Sequence, residues 1–446
     1  MDRNGLGTAR KATLQVSDIE DLTRTTIGKF QIKRLIGRGA TASVYLAEDP
    51  FNSNEVAIKI AHQGIFNDPV NGGRFKKMFI NEASLAGKLR HPHIVSVYDA
   101  GSEHNMHYIV MEYVAGQTLK AFCTPEHLLP VDQVVEIAFK CANALDYAYR
   151  NGLIHRDIKP ANILVTQGTD VKISDFGAAQ MADSELTQIV DAIGTPSYMS
   201  PEQVRGEKLS HQTDIYSLGV VMYLMLSGKL PFSAKNQYEL IQKISKQPPV
   251  QLDSVRPDLP KEVVSIVMRC LEKEPGIRYQ TWKEFSADLS QVNEKLELNS
   301  TDISDTRKFN TLKKLNFFHD FTDVELWEVL RISSWRDFPA NKKLLEEGKV
   351  GNSLFILASG TARIVKNSKL LGIIDGGEVF GETAYINGAK KRRNANVIST
   401  MPVTLLKIKS EALTQASDHL QTKFNKELLK TLAERLEKTS TIASAL

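Results

Sequence analysis

The sequence predicts an α+β chain in which a strand-rich segment leads into a mainly helical one, followed by a smaller strand-rich module closed by a helix. Three observations carry this. Apolar alternation between Ile27 and Ile60 surrounds a glycine-rich turn, and helical spacing of apolar residues takes over past Pro125. Beyond a polar stretch at Leu296–Lys308, strand patterns return between glycine turns and give way to a last run of helical periodicity. With 446 residues the chain has room for roughly two to four domains.

In order along the chain, residues 1–26 are polar and aperiodic, with four basic and four acidic side chains and no apolar core. They are expected as a mobile tail and not as a secretory leader. Leu35–Val44 and Val56–Ile60 are expected as strands around the glycine turn, and Phe75–Leu89, Val131–Tyr149 and Val263–Leu271 as helices. These elements define a first domain over 27–295. The Asn, Ser, Thr, Asp and Lys content after it predicts a linker over 296–311. In a second domain over 312–446, a short helix at Asp323–Ser333 precedes strands at Leu354–Leu357, Thr361–Lys366, Leu370–Ile374 and Val397–Lys409. A helix over Ser410–Glu437 closes it, with Leu413, Leu420, Phe424, Leu428, Leu432 and Leu436 on its apolar side.

Composition excludes several classes. Lys and Arg number 56 against 52 Asp and Glu, a net +4 that argues against a broadly basic nucleic-acid surface. Cys123, Cys141 and Cys270 are far apart and match no disulfide framework or metal-ligand spacing, so buried thiols in a reducing cytoplasm are expected. The most apolar stretch, Ile215–Leu226, is shorter than the about 20 residues a bilayer span needs and predicts a helix buried on all sides. Membrane insertion is therefore not expected.

The chemistry-bearing residues begin at Ile36-Gly37-Arg38-Gly39-Ala40-Thr41-Ala42-Ser43-Val44, where the missing side chains of Gly37 and Gly39 would let backbone N–H groups approach phosphate. On the next strand, alternation sets Val56, Ile58 and Ile60 on one face and Ala57 and Lys59 on the other. Phe75, Met78, Glu82, Leu85 and Leu89 step by three and four, which puts Glu82 on an apolar stripe, where a carboxylate requires a partner; Lys59 is the natural one. Further on lie His155-Arg156-Asp157-Ile158-Lys159-Pro160-Ala161-Asn162, Asp175-Phe176-Gly177 and Ser200-Pro201-Glu202, then Asp214, Ser217, Gly219 and Arg278.

This ordered set, over about Phe30–Leu289, resembles a eukaryotic-type protein kinase, and the wording Gly194-Thr195-Pro196-Ser197-Tyr198-Met199-Ser200-Pro201-Glu202-Gln203 is most similar to bacterial Ser/Thr kinases. The resemblance implies a bilobal kinase fold and transfer of the ATP γ-phosphate to protein hydroxyls. It assigns Asp157 to the substrate hydroxyl, Lys159 to the transferring phosphate, Asn162 and Asp175 to Mg²⁺, and Lys59, fixed by Glu82, to the α- and β-phosphates. Ile36, Gly37, Gly39, Val44, Ala57 and Lys59, with Met111 as gatekeeper and Glu112 to Val114 as hinge, are implied to hold ATP. Arg278 is implied to pair with Glu202. Ala42 stands where the pattern has a third glycine and Ser200 where it has alanine. Of the hydroxyls at Ser184, Thr187, Thr195 and Ser197, Thr187 is the expected activation-loop phosphosite, because it sits where bacterial relatives are phosphorylated.

The second module resembles a cyclic-nucleotide-binding domain, a β-roll with flanking helices, on Phe317-Phe318, Phe321, Gly348, Gly351, Gly360, Gly376-Gly377, Phe380-Gly381-Glu382 and Arg393-Asn394-Ala395-Asn396-Val397. The resemblance implies a phosphate-binding cassette of Gly381, Glu382, Arg393 and Ala395. Glu382 would accept from a ribose hydroxyl, and Arg393 would contact the cyclic phosphate of cyclic AMP or cyclic GMP. Thr383 and Tyr385 replace the usual aliphatics and Lys390-Lys391 lengthens the loop. Asn394 leans toward cyclic AMP. The last helix is expected over the ligand site, or alternatively as a structural or homodimer-forming helix. Together these readings predict a cytoplasmic Ser/Thr kinase regulated in cis by a cyclic nucleotide. The alternatives are an active kinase with a non-binding docking or dimerisation module, and a kinase-shaped scaffold. The protein substrate stays unidentified.

Overall fold

Alternation in the first third of the chain builds a six-stranded antiparallel sheet of order β1-β2-β3-β4-β6-β5. Its strands are β1 (Thr26–Ile27), β2 (Phe30–Arg38), β3 (Ala42–Asp49), β4 (Asn54–Ala61), β5 (Val97–Glu103) and β6 (Met106–Glu112), with helix α1 (Gly72–Ala86) between β4 and β5. The computed structural model describes residues 25–39, 41–62, 66, 72–103, 106–178, 196–296, 303–382, 386 and 392–444. The chain divides into two units: Met1–Leu89 with Val95–Ala115 and Asp175–Gly194, and Arg90–Ile94 with Gly116–Ser174 and Thr195–Leu446.

In the first unit, one face of the sheet carries the core: Ile32, Tyr45, Ala47, Val56, Ile58, Ile60 and Val110 are buried together. Alternate residues on β3 and β4 therefore point the other way, Val44, Ala57 and Lys59 among them. Leu35–Val44 does not form one strand. The chain reverses at Gly39, whose N–H donates to the Ala42 carbonyl at 2.8 Å, so that stretch is split between the ends of β2 and β3. Helix α1 ends at Ala86, before Leu89. The side chains of Phe75 and Met78 lie outside the described residues, while Glu82, Leu85 and Leu89 are buried as the stripe predicts.

The second unit begins with helix α2 (Val131–Arg150) and a small sheet of β7 (Gln117–Thr118), β8 (Ile163–Val165) and β9 (Val171–Ile173). Next come α3 (Pro201–Arg205), α4 (His211–Ser227), α5 (Gln237–Lys246), α6 (Lys261–Cys270) and α7 (Trp282–Leu296). Ser200, where the kinase pattern has alanine, is the N-cap of α3: its hydroxyl accepts from Gln203 N while the Gln203 side chain accepts from Ser200 N. Helix α4 is buried from Thr213 to Ser227 on all sides, as Ile215–Leu226 predicts. Among the described residues no helix is long and apolar enough to cross a membrane.

The stretch expected as a linker differs from the expectation. Residues 305–314 form helix α8 (Asp305–Lys314), capped by the Ser304 hydroxyl, which accepts from Arg307 N at 3.1 Å. Thr306, Phe309 and Leu312, three residues apart, are its buried face. Helix α9 (Asp323–Ile332) follows, and then two antiparallel four-stranded sheets. Their strands are β10 (Ser333–Phe338), β11 (Lys343–Leu345), β12 (Ser353–Ser359), β13 (Thr361–Lys366), β14 (Lys369–Asp375), β15 (Val379–Phe380), β16 (Asn396–Ser399) and β17 (Val403–Lys409). The strand orders are β10-β17-β12-β15 and β11-β16-β13-β14. Phe355, Leu357, Ile374, Phe380, Val397 and Leu405 fill the roll. Val397–Lys409 is two strands. The closing helix is also broken, into a short turn at Ser410–Thr414 and α10 (Asp418–Ser444). Leu420, Phe424 and Leu428 are buried, and Phe424 meets Phe317 edge-on at 5.0 Å, whereas Leu436 is exposed.

Two histidines stand between the helical part and this module. His93 Nδ1 donates to the Val171 carbonyl at 2.9 Å, and His93 N donates to His91 Nδ1 at 3.0 Å. Burial holds His91 down to about 3, with Arg331 and Lys172 adding to it. Burial likewise holds His93 well below its ordinary value, with His91, Lys140 and Arg331 acting the same way; the Asp170 carboxylate, 3.5 Å from Nδ1, does not reverse it. The unfolded chain binds these two protons near pH 6.5 and the native chain does not. Stability is thus full above about pH 6.5 and falls below it, by about 1.4 kcal/mol per histidine at pH 5.5. Denaturant titrations at pH 7.5 and 5.5 check this, and the double variant His91→Gln, His93→Gln should flatten the dependence.

Candidate functional site

Ladder register brings the first set of predicted residues into rows. Gly37 is opposite Val44, which is opposite Lys59; one step along, Ala57 is opposite Met111. Neither Gly37 nor Gly39 has a positive φ, so their contribution is a hairpin tip bare of side chains. Ile36 and Gly37 are half-buried, Gly39 is exposed, and Ala57 and Met111 are buried. Val114 is half-buried just past β6, and the Glu112 carboxylate accepts from Ser96 N at 3.2 Å.

The partner demanded by Glu82 is present. Lys59 Nζ donates to Glu82 Oε1 at 2.9 Å and Oε2 at 2.7 Å, and to Asp175 Oδ1 as well. One ammonium is shared by two carboxylates. Burial pushes Glu82 up to about 7, against the attraction of Lys59 and with the help of Asp175. Burial works against the charged lysine too, but the two carboxylates outweigh it and hold Lys59 above its ordinary value. Asp175 has φ +67°, a left-handed conformation that a non-glycine residue adopts at a cost of about 1–3 kcal/mol, and such positions cluster at functional sites.

The second set lies in the other unit. Asp157 accepts from Lys159 Nζ at 3.0 and 2.8 Å and from Asn162 Nδ2 at 3.0 Å, and Nδ2 also donates to the Asp157 carbonyl at 2.8 Å. Because the Asn162 nitrogen is spent on Asp157, the amide oxygen is the atom this residue presents. The Asn162 amide and, in the first unit, the Asp175 carboxylate each offer oxygen, the donor type Mg²⁺ prefers, and each by itself fits as a ligand of that ion.

Sequence reasoning did not assign what holds the loop. Asp214, buried near the start of α4, accepts from His155 N at 2.7 Å and Arg156 N at 2.8 Å. Gln203 Nε2 donates to the Arg156 carbonyl at 2.8 Å, at a residue with φ +67°. The available signal was a carboxylate in an otherwise apolar buried helix, which requires donors. Thr187, like Ala40, Ser184 and Thr195, lies outside the described residues; Ser197 is described and buried.

In the second module, Arg393 is 9% exposed. It donates to the Gly381 carbonyl and the Ser353 carbonyl, both at 2.7 Å, and stands over the Phe355 ring at 5.5 Å. Two glycines make room for it. A Cβ at Gly351 would lie 2.5 Å from Arg393 Nη2, and one at Gly381 (φ +75°) 2.8 Å from Nη1. Gly351 thus serves close approach and not a positive φ. Ala395 is half-buried just before β16. Glu382 is not paired with Arg393. Its Oε1 accepts from Arg435 Nη1 at 3.2 Å, and Arg435 also donates to the Val379 carbonyl. The last helix therefore reaches the cassette through an arginine, while its apolar positions were the ones singled out in sequence. Thr383, Tyr385, Lys390 and Lys391 lie outside the described residues.

The family model described as Protein kinase domain matches residues 30–288, and that described as Cyclic nucleotide-binding domain matches residues 335–419. Serine/threonine-protein kinase PrkC of Bacillus subtilis is 37% identical over 273 residues, covering 61% of this chain and 42% of that protein. Serine/threonine-protein kinase PknB of Mycobacterium leprae is 36% identical over 271 residues, covering 59% of this chain and 43% of that protein. The chain thus spans less than half the length of these relatives, and the residues that the kinase family model matches include Lys59, Asp157 and Asp175. On the family match over more than half its length, the chain belongs to the protein kinase family, with a cyclic-nucleotide-binding domain after the kinase domain.

Proposed function

We propose that this chain is a Ser/Thr protein kinase that uses ATP and Mg²⁺ and is regulated in cis by a cyclic nucleotide bound at its second module. The buried Lys59–Glu82 pair carries the catalytic half of the reading, because it holds a positive charge fixed on the non-core face of a sheet, the charge that phosphate oxygens require. Bound Mg²⁺ supplies charge neutralisation, with Asn162 and Asp175 as its holders. Asp157 receives the substrate hydroxyl's proton, Lys159 neutralises the transferring phosphate, and the turn at Ile36, Gly37, Gly39 and Val44 covers the nucleotide. Ala57, Met111, Glu112 and Val114 take the adenine. Thr187 is the proposed phosphosite.

The regulatory half rests on Arg393. An arginine this buried whose bonds go to two neutral carbonyls gains from an arriving anion, and a cyclic phosphate is one. The Arg435–Glu382 contact favours the alternative, a module already closed on itself. Purified chain supplied with Mg²⁺ and γ-labelled ATP should label itself or a generic protein acceptor, and Lys59→Met should not. Absence of label in both removes the kinase reading. Calorimetry of the full chain with cyclic AMP and cyclic GMP separates the regulatory readings: heat of binding supports the sensor, and none at millimolar nucleotide supports the closed module.

A further inference from the structure

Within the second unit, the two helices that introduce the β-roll are packed on the kinase domain by contacts that neither module's chemistry requires. Lys140 of α2, 1% exposed, donates to Asp305 at the start of α8 at 2.8 Å and to the Thr169 hydroxyl at 3.0 Å, and is 3.2 Å from Glu136. Phe309 of α8 meets Phe139 of α2 edge-on at 6.0 Å and stacks on Trp327 of α9 at 4.5 Å and 20°. Trp327, 2% exposed, meets His93 edge-on at 4.5 Å. Arg331, one turn further along α9, donates to the Pro92 carbonyl at 2.6 Å and reaches Asp170 at 3.4 Å. The segment so gripped, residues 91–93, is joined through Gly87, Lys88, Leu89 and Arg90 to the end of α1, the helix that carries Glu82. It is also held from within the helical part: His93 bonds Val171, its carbonyl accepts from Ile173 N, and the His91 ring lies 5.3 Å from that of Tyr147.

The other side of α9 faces the closing helix. Glu325, 3% exposed, accepts from Lys423 of α10 at 2.9 Å. Glu328 accepts from both the N–H and the hydroxyl of Ser417, at 2.6 and 2.7 Å, and Ser417 is the residue that caps α10. Helix α10 then runs to Arg435, which holds Glu382. A continuous set of packed and hydrogen-bonded groups thus joins the cassette carboxylate to residues 91–93.

We infer that α9 is the coupling element of this protein, docked through Trp327 and Arg331 on residues 91–93, so that a change at Glu382 reaches the segment that follows the Glu82 helix in the chain. The inference rests on the cis-regulated reading above and adds its route. A ribose hydroxyl taken by Glu382 competes for the Arg435 bond while Arg435 keeps the Val379 carbonyl, which changes how the end of α10 is held. Glu325 and Glu328 pass the change to α9, and Arg331 passes it to Pro92. Coupling between two sites needs differential contacts in two states, and this contact is the one a ligand at the cassette would change.

The test uses full-length chain. The ratio of kinase rates with and without saturating cyclic AMP or cyclic GMP is measured for wild type, Arg331→Ala and Asp170→Asn. Calorimetry in the same samples verifies that the nucleotide still binds. Arg331 is partly exposed, so its loss spares the core, and neither position belongs to the reacting groups. The ratio should shrink about 2- to 30-fold toward one in Arg331→Ala while binding persists. The effect of cyclic nucleotide on the affinity for an unreactive ATP analogue should shrink too, and by reciprocity the effect of that analogue on cyclic-nucleotide affinity shrinks by the same factor as that affinity effect. Arg435→Ala should move the rate without cyclic nucleotide toward the bound-state value. A wild-type ratio of one overturns regulation in cis altogether. A wild-type response that Arg331→Ala and Arg435→Ala both leave intact overturns the route through α9 and spares the reading it rests on.

Discussion

Asp157→Asn is expected to lower the phosphoryl-transfer rate by about 10²–10⁴-fold while leaving the thermal midpoint and ATP affinity nearly unchanged. The Asp157 carboxylate is the meeting point of Lys159, which bonds both its oxygens, and of Asn162, which bonds Oδ2. Asparagine has the same size and keeps the backbone contacts to Asn162 and His155. What it removes is the charge that accepts a proton, and it also turns one amide N–H toward donors that need an acceptor. The loop itself is held by Asp214 and Gln203, which the substitution does not touch. Steady-state phosphorylation of a generic acceptor, with a melting curve on the same sample, reads both quantities. A variant that keeps more than a tenth of the wild-type rate takes Asp157 out of the reaction and favours the scaffold reading.

The parts of this fold that could be read from sequence are those where local pattern and burial agree. Strand β4 alternates cleanly because one of its faces lies wholly in the core: Val56, Ile58 and Ile60 are buried together. The Lys59–Glu82 pair was readable for the same reason, since a charge on an apolar stripe needs an opposite charge and the chain offers one nearby. That Asp175 shares the same lysine was not readable, because the pairing spans 116 residues and Asp175 carries no local sign of it. Helix α8 was hidden by its composition; between Asp305 and Lys314 only Phe309 and Leu312 are large and apolar. Strand β10 alternates weakly, with Trp335 and Phe338 half-buried among exposed neighbours, as befits an edge strand. The Arg435–Glu382 contact and the seat of Trp327 on His93 each join a helix residue to a residue outside any helix and far away in sequence, and none of the four carries a local sign of its partner. Their meaning arises only when distant segments meet.

Arg278→Ala is expected to cost about 3–5 kcal/mol, a fall in thermal midpoint of about 6–20 °C. Arg278 is fully buried and forks onto Glu202, with Nη1 and Nη2 each 2.7 Å from a carboxylate oxygen. Its remaining N–H groups donate to the carbonyls of Glu272, Gln212 and Lys273. Removing it strands a carboxylate that is 2% exposed, whose other side-chain donor is the Thr213 hydroxyl at 2.9 Å. The pH dependence identifies the cause. Burial alone would raise Glu202, but Arg278 outweighs it and holds the group below its ordinary value. In the wild type, the stability this group contributes is therefore present above about pH 4.5 and lost as pH falls through the lowered native value. Without Arg278 the balance inverts: the buried carboxyl rises above its unfolded value and destabilises the native state more as pH climbs past about 4.5. Glu202→Gln combined with Arg278→Ala should recover part of the loss at neutral pH, because it removes the stranded charge. Denaturant midpoints of the two variants and wild type at pH 5 and 8 measure the inversion; a single variant whose deficit is the same at both pH values would show that lost packing, not the unpaired carboxylate, sets the cost.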